Sequence, residues 1–177
     1  MTKTAIIAAS ENMFSRFTET CNGINETTMF EKPGPKWSVA ENIRHLVIST
    51  NMTSLAYTLP KFMVKWIGGT PNRQSRSYGE LKEKYYKKLS EGGRASGRFV
   101  PKPIEVSYGK QKLVDSWNAS TAKYLAALSA KRTEEDLDNY LARHPLLGRI
   151  TLRELCYFTI FHTEHHLQTI EAITQTQ

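Results

Sequence analysis

Thr151-Leu-Arg-Glu-Leu-Cys-Tyr-Phe-Thr-Ile-Phe-His-Thr-Glu-His-His-Leu-Gln168 is the stretch on which the fold turns. Thr151 stands three residues before Glu154, the spacing of a capping box: the hydroxyl takes one free amide at a helix start and the carboxylate reaches back to another. A helix is therefore expected over about Leu152 to Ile173. Three of the chain's five histidines fall inside five residues of it. His162 and His166 are four apart and project from nearly the same side. At about 100° per residue their stripe also holds Leu155, Phe158, Thr169 and Ile173, so it is mostly apolar and faces inward. His165 falls at the stripe's edge and is expected to be a bystander.

Further out, the same punctuation recurs. Ser38 precedes Glu41 by three residues, and Trp37 before them can staple onto the first turn. A long helix should run from there through His45, Leu46, Ile48 and Met52 toward Leu59, where Pro60 ends or kinks it. Residues from about Thr4 to Asn25 carry Ile6, Ile7, Met13, Phe14, Phe17 and Cys21 at helical spacing, and Lys32-Pro-Gly-Pro-Lys36 breaks the pattern. Gly68-Gly-Thr-Pro-Asn72 marks a loop, and Tyr78 to Leu89 a short basic helix. Gly92 to Pro103 has the composition of a mobile crossing. Helical spacing returns from about Tyr108 to Leu128, a capping box recurs at Thr133 and Asp136, and His144 to Gly148 forms a turn. No alternating strand pattern and no internal repeat stand out. The expected fold is all-α: a four-helix bundle with short extra helices and a long basic loop, one domain over residues 1–177.

An apolar content of 40% over 177 residues can fill one sizeable core. No apolar run approaches the roughly 18–20 residues of a membrane span, so a cytoplasmic protein without a membrane partner is expected. Cys21 and Cys156 match no metal-binding spacing and read as two buried thiols. The net charge of +7 is local: Lys61 to Arg132 holds sixteen Lys and Arg against five Asp and Glu. Without an accompanying nucleic-acid motif, this stretch reads as solvated helix surface plus a basic loop rather than a nucleic-acid interface.

Two imidazoles one turn apart can converge on one metal ion. The order His-Thr-Glu-His-His is not that of the zinc peptidases, whose glutamate follows the first histidine directly. His45, one turn past Glu41, can face the pair from a neighbouring helix and complete a three-nitrogen face with open positions for water or substrate. Each ligand needs an acceptor for its other N–H, and Glu41, Asn42, Thr159, Glu164, Gln168 and Thr169 are candidates. His144, before Pro145, reads as a loop residue bonding locally.

Three stretches resemble the DinB-like superfamily, YfiT-type proteins included, which is distinct from the DNA polymerase sharing that name. They are Lys36-Trp-Ser-Val-Ala-Glu-Asn-Ile-Arg-His45, His144-Pro-Leu-Leu-Gly-Arg-Ile-Thr-Leu-Arg-Glu154 and His162 to Gln168. In order, they span essentially the whole chain. The resemblance implies a three-histidine site for a divalent metal (zinc, nickel or iron), here His45, His162 and His166, in a bundle that often forms a homodimer. Relatives of this kind include transferases and isomerases that use low-molecular-weight thiols, and some look hydrolase-like. The leading expectation is a metal-dependent S-transferase acting on a small-molecule substrate, with Arg94, Arg98 and Lys102 as candidate partners for a thiol's carboxylates. The alternatives are a metal-dependent hydrolase and a non-catalytic metal-binding or structural bundle.

Overall fold

The computed structural model describes residues 1–175. Eight α-helices and one two-stranded hairpin make up these residues, with short 3-10 turns at Gly97–Phe99 and Val106–Tyr108. The helices are α1 (Lys3–Gly23), α2 (Glu26–Phe30), α3 (Val39–Thr58), α4 (Lys61–Gly68), α5 (Tyr78–Ser90), α6 (Lys110–Lys131), α7 (Asp136–Asn139) and α8 (Leu152–Gln175). The long helices α1, α3, α6 and α8 form the bundle: α3 packs on α6 and α8, and α1 on the same two. Their inward stripes meet in a core that includes Phe17, Met29, Trp117, Tyr124, Leu128 and Phe161, all fully buried or nearly so.

Capping boxes set the helix starts. Ser38 and Glu41 exchange side-chain and backbone bonds at the head of α3, as do Thr151 and Glu154 at the head of α8. A further box at Ser77 and Glu80, not singled out in the sequence, opens α5. Helix α3 ends at Thr58, and Pro60 stands at the start of a separate helix, α4, where the ring's missing N–H costs nothing. Gly68 ends α4 against the hairpin. A Cβ there would land on the carbonyl oxygen of Leu141, so only glycine permits the approach.

The all-α expectation holds, with one addition. Residues 141–144 and 148–151 form an antiparallel hairpin, β1 (Leu141–His144) and β2 (Gly148–Thr151), in which His144 pairs with Gly148. Four-residue strands are too short to display an alternating pattern, and what fixes them is the turn: Gly148 sits at φ 75°, open to glycine at little cost. The hairpin leads directly into α8 and sets where that helix begins.

Helices α3 and α8 run antiparallel. Asn42 meets His166 near one end, and near the other the Tyr57 hydroxyl donates to the carbonyl of Leu152. This pairing brings residues 45 and 162 face to face.

Candidate metal centre

His45, His162 and His166 are each only 5–6% exposed. Their Nε2 atoms converge: His162 Nε2 lies 3.1 Å from that of His45 and 3.2 Å from that of His166. Outer contacts fix the tautomers. His45 Nδ1 is 2.7 Å from the carbonyl oxygen of Phe99, which can only accept, so the ring's proton is on Nδ1. His166 Nδ1 is 2.7 Å from Asn42 Oδ1. The amide's orientation follows from its other end, since Asn42 Nδ2 donates to the Ser38 carbonyl at 2.8 Å. His166 therefore also carries its proton on Nδ1.

Two Nε2 lone pairs thus point at a third nitrogen that can offer a single proton. A cation satisfies all three at once. Nitrogens about 2.0–2.1 Å from one zinc ion lie roughly 2.9 Å apart at right angles and roughly 3.4 Å apart at the tetrahedral angle. The two short separations fall in that interval, so the three side chains can hold a metal ion between them.

Burial lowers the pKa of all three rings, well below the ordinary value for His162 and His166. At His45 the Phe99 carbonyl opposes that effect without reversing it. Neutral imidazole is the form that binds metal. Aromatic rings hold the set in place: Phe158 stacks on His162 with centroids 4.5 Å apart, and Trp37 lies 5.0 Å from His45 and 6.4 Å from His166. Trp37, expected as a staple, is a wall of the cluster.

The three histidines line a cavity of about 770 Å³ bounded by α3, α4, the hairpin, α8 and the segment from Gly93 to Val100. His165 lines it too, but its nitrogens lie outside the convergence, and its ring rests near Tyr85 and Tyr86. Of the acceptors expected from sequence, Asn42 serves His166. Glu41 is bonded back to Ser38, Thr159 and Thr169 to carbonyls on their own helix, and Glu164 to Lys82. Phe99 is the partner that sequence reading missed, because a backbone carbonyl carries no residue-type signal. Its segment, expected to be a mobile crossing, contributes it from a 3-10 turn.

The basic residues separate. Arg94 stands at the rim of this cavity, whereas Arg98 and Lys102 line another cleft, with Arg44 and Lys112. Several cations of the Lys61–Arg132 stretch are paired within the chain, as Lys61 with Asp136, Arg73 and Arg76 with Glu154, and Lys82 with Glu164. Both cysteines are free and buried. Among the described residues, no helix is long and apolar enough to cross a membrane.

Fold and site together define a helical bundle with a buried three-histidine cluster opening on a cavity. The chain belongs to the DinB superfamily, whose model matches residues 10–170. Comparisons with the curated proteins and with the solved structures gave no match.

Proposed function

We propose that the chain, acting as one bundle domain over residues 1–177, is a metal-dependent enzyme that joins a low-molecular-weight thiol to an electrophilic small molecule. His45, His162 and His166 would hold the ion. The observation that carries this reading is the convergence of three neutral imidazole nitrogens, with the outer N–H groups of His45 and His166 already committed to Phe99 and Asn42. A bound divalent ion supplies Lewis acidity, which lowers the pKa of a thiol and holds the nucleophilic thiolate form.

The chain's own residues do the rest. Phe99 and Asn42 keep the Nε2 lone pairs turned inward, and Phe158 and Trp37 limit ring rotation and keep bulk water from the cluster's flanks. The cavity leaves one side of the cluster approachable by a substrate.

Elemental analysis of untagged protein tests the metal, with about one ion per chain expected. A conjugation screen with and without added thiol then tests the reaction. Product that contains the thiol, lost on chelation and in His162→Ala, supports S-transfer. Turnover that needs no thiol points to hydrolysis instead, and a metal content near zero overturns the reading.

A further inference from the structure

One polar group in the cavity wall serves neither the bundle nor the histidine cluster. His144 ends β1, and its Nδ1 accepts from the backbone amides of Leu146 at 3.2 Å and Leu147 at 3.1 Å. A nitrogen that accepts two N–H groups bears no hydrogen, so the neutral ring carries its proton on Nε2. Burial pushes this histidine's pKa down to about 4, which keeps the ring neutral. The expectation of a locally bonded loop residue is met at Nδ1 alone. Nε2, on the ring edge away from the turn, has no hydrogen-bond partner among the described residues, and the side chain lines the cavity.

The ring's position matters as much as its tautomer. It meets Phe158 edge-on with centroids 4.2 Å apart, and Phe158 in turn stacks on His162. A fixed N–H donor therefore stands one aromatic ring away from the three converging nitrogens. The lining also holds the apolar side chains of Met52, Leu55, Leu59, Val64, Leu141 and Leu155, with Ser49 and Thr53 as the hydroxyls that α3 adds to it. At about 1.5 Å per helical residue, the seven positions from His162 back to Leu155 span roughly 10 Å. The charged side chains of the lining, Lys36, Arg94 and Arg143, are all exposed at the rim.

We infer that this cavity takes a molecule with an extended apolar body and a carbonyl-type acceptor, the acceptor bonded by His144 Nε2–H and the body lying along Met52, Leu55, Leu59, Val64, Leu141 and Leu155. The inference rests on reading the same cavity as the active site, and it names the class of the electrophile. An apolar trough rewards chain length, and a fixed donor with no protein partner rewards an acceptor within its reach.

Binding of methyl ketones of about six, eight and ten carbons to the full chain tests this, with the matched terminal alkenes as controls. Ketone affinity should rise roughly three- to fourfold per methylene. The ketone should exceed its alkene by about fivefold, the worth of one neutral hydrogen bond. His144→Asn leaves a side-chain oxygen for the two turn amides but removes the Nε2–H, and should bring ketone affinity down to that of the alkene. In the unsubstituted protein, nitrogen NMR should place the His144 proton on Nε2, and its signal should shift with ketone and not with alkene.

Absent or length-independent ketone binding overturns the apolar class. A proton on Nδ1, or a ketone preference that survives in His144→Asn, overturns the donor role. If that variant misfolds, the NMR shift in the unsubstituted protein decides. Metal analysis is scored separately: metal-free protein that binds ketone as expected sinks the metal reading alone, and metal-loaded protein that ignores ketone sinks this one alone.

Discussion

Helix α8 carries two buried polar clusters about 12 Å apart, at roughly 1.5 Å per residue between Glu154 and His162, and they are built on opposite terms. The Glu154 side chain is fully buried, yet its carboxylate is saturated. Arg73 forks onto both oxygens at 2.7 and 2.8 Å, the amides of Arg76 and Thr151 donate at 2.8 and 2.9 Å, and the Arg76 guanidinium adds a contact at 3.2 Å. Burial alone would raise the pKa of this carboxyl, but the Arg73 fork and the two amides outweigh it and hold the value below the usual range. At the histidine cluster neutral acceptors satisfy the outer nitrogens of His45 and His166, and the inner three face one another. A closed cluster locks a helix start to the loop before α5. An open one leaves the inner nitrogens 3.1 and 3.2 Å apart, a spacing at which they can share one cation.

The contrast can be broken most directly at His162, the nitrogen shared by both short contacts. His162→Ala should take metal content from about one ion per chain to near zero and abolish chelator-sensitive conjugation, while circular dichroism remains helical. Glu154→Ala should do the reverse. Losing the cap and leaving Arg73 and Arg76 without their carboxylate should cost about 2–4 kcal/mol in chemical denaturation, with metal content in the folded protein unchanged. An equal loss of metal in both variants would show that the two clusters are one cooperative unit.

Asn42→Ala leaves all three ligands and removes the acceptor that orients His166, together with the bond that its amide donates to the Ser38 carbonyl. Metal affinity should fall about 10- to 100-fold, read by competition with a chelating dye.

Acid sharpens the comparison from the other side. The depressed pKa of Glu154 makes its contribution fully present above the unfolded carboxyl value, near about 4.3, and lost as pH falls through the lower folded value. The stability gap between the unsubstituted protein and Glu154→Gln, measured by urea denaturation, should therefore narrow as pH drops through that range. The smallest effect is expected at His165, whose removal as His165→Ala should leave the metal-to-chain ratio unchanged. A fall would place a fourth imidazole in the cluster.

The sequence was most legible where chemistry is local. Capping boxes at Ser38 and Thr151 announce themselves by spacing, because both partners lie within one helical turn. The pairing of His162 with His166 is equally local. His45 became a candidate through the resemblance and through its place one turn beyond Glu41, but only the antiparallel run of α3 along α8 brings it to 3.1 Å from His162. The hairpin and helix α4 escaped sequence reading because each depends on a partner outside itself. Gly68 must touch Leu141, and β1 has only four residues with which to show a pattern.

The amino-acid sequence by itself determined the four long helices, the capped starts of α3 and α8, and the inward aim of two imidazoles, since periodicity and capping act over three or four residues. Tertiary structure decided which atoms meet: the Phe99 carbonyl on His45, Asn42 on His166, and the His144 Nε2–H left unpaired on the cavity wall. Those contacts join residues up to 124 positions apart. No local propensity encodes such a distance; it is set by how the helices pack around a shared core.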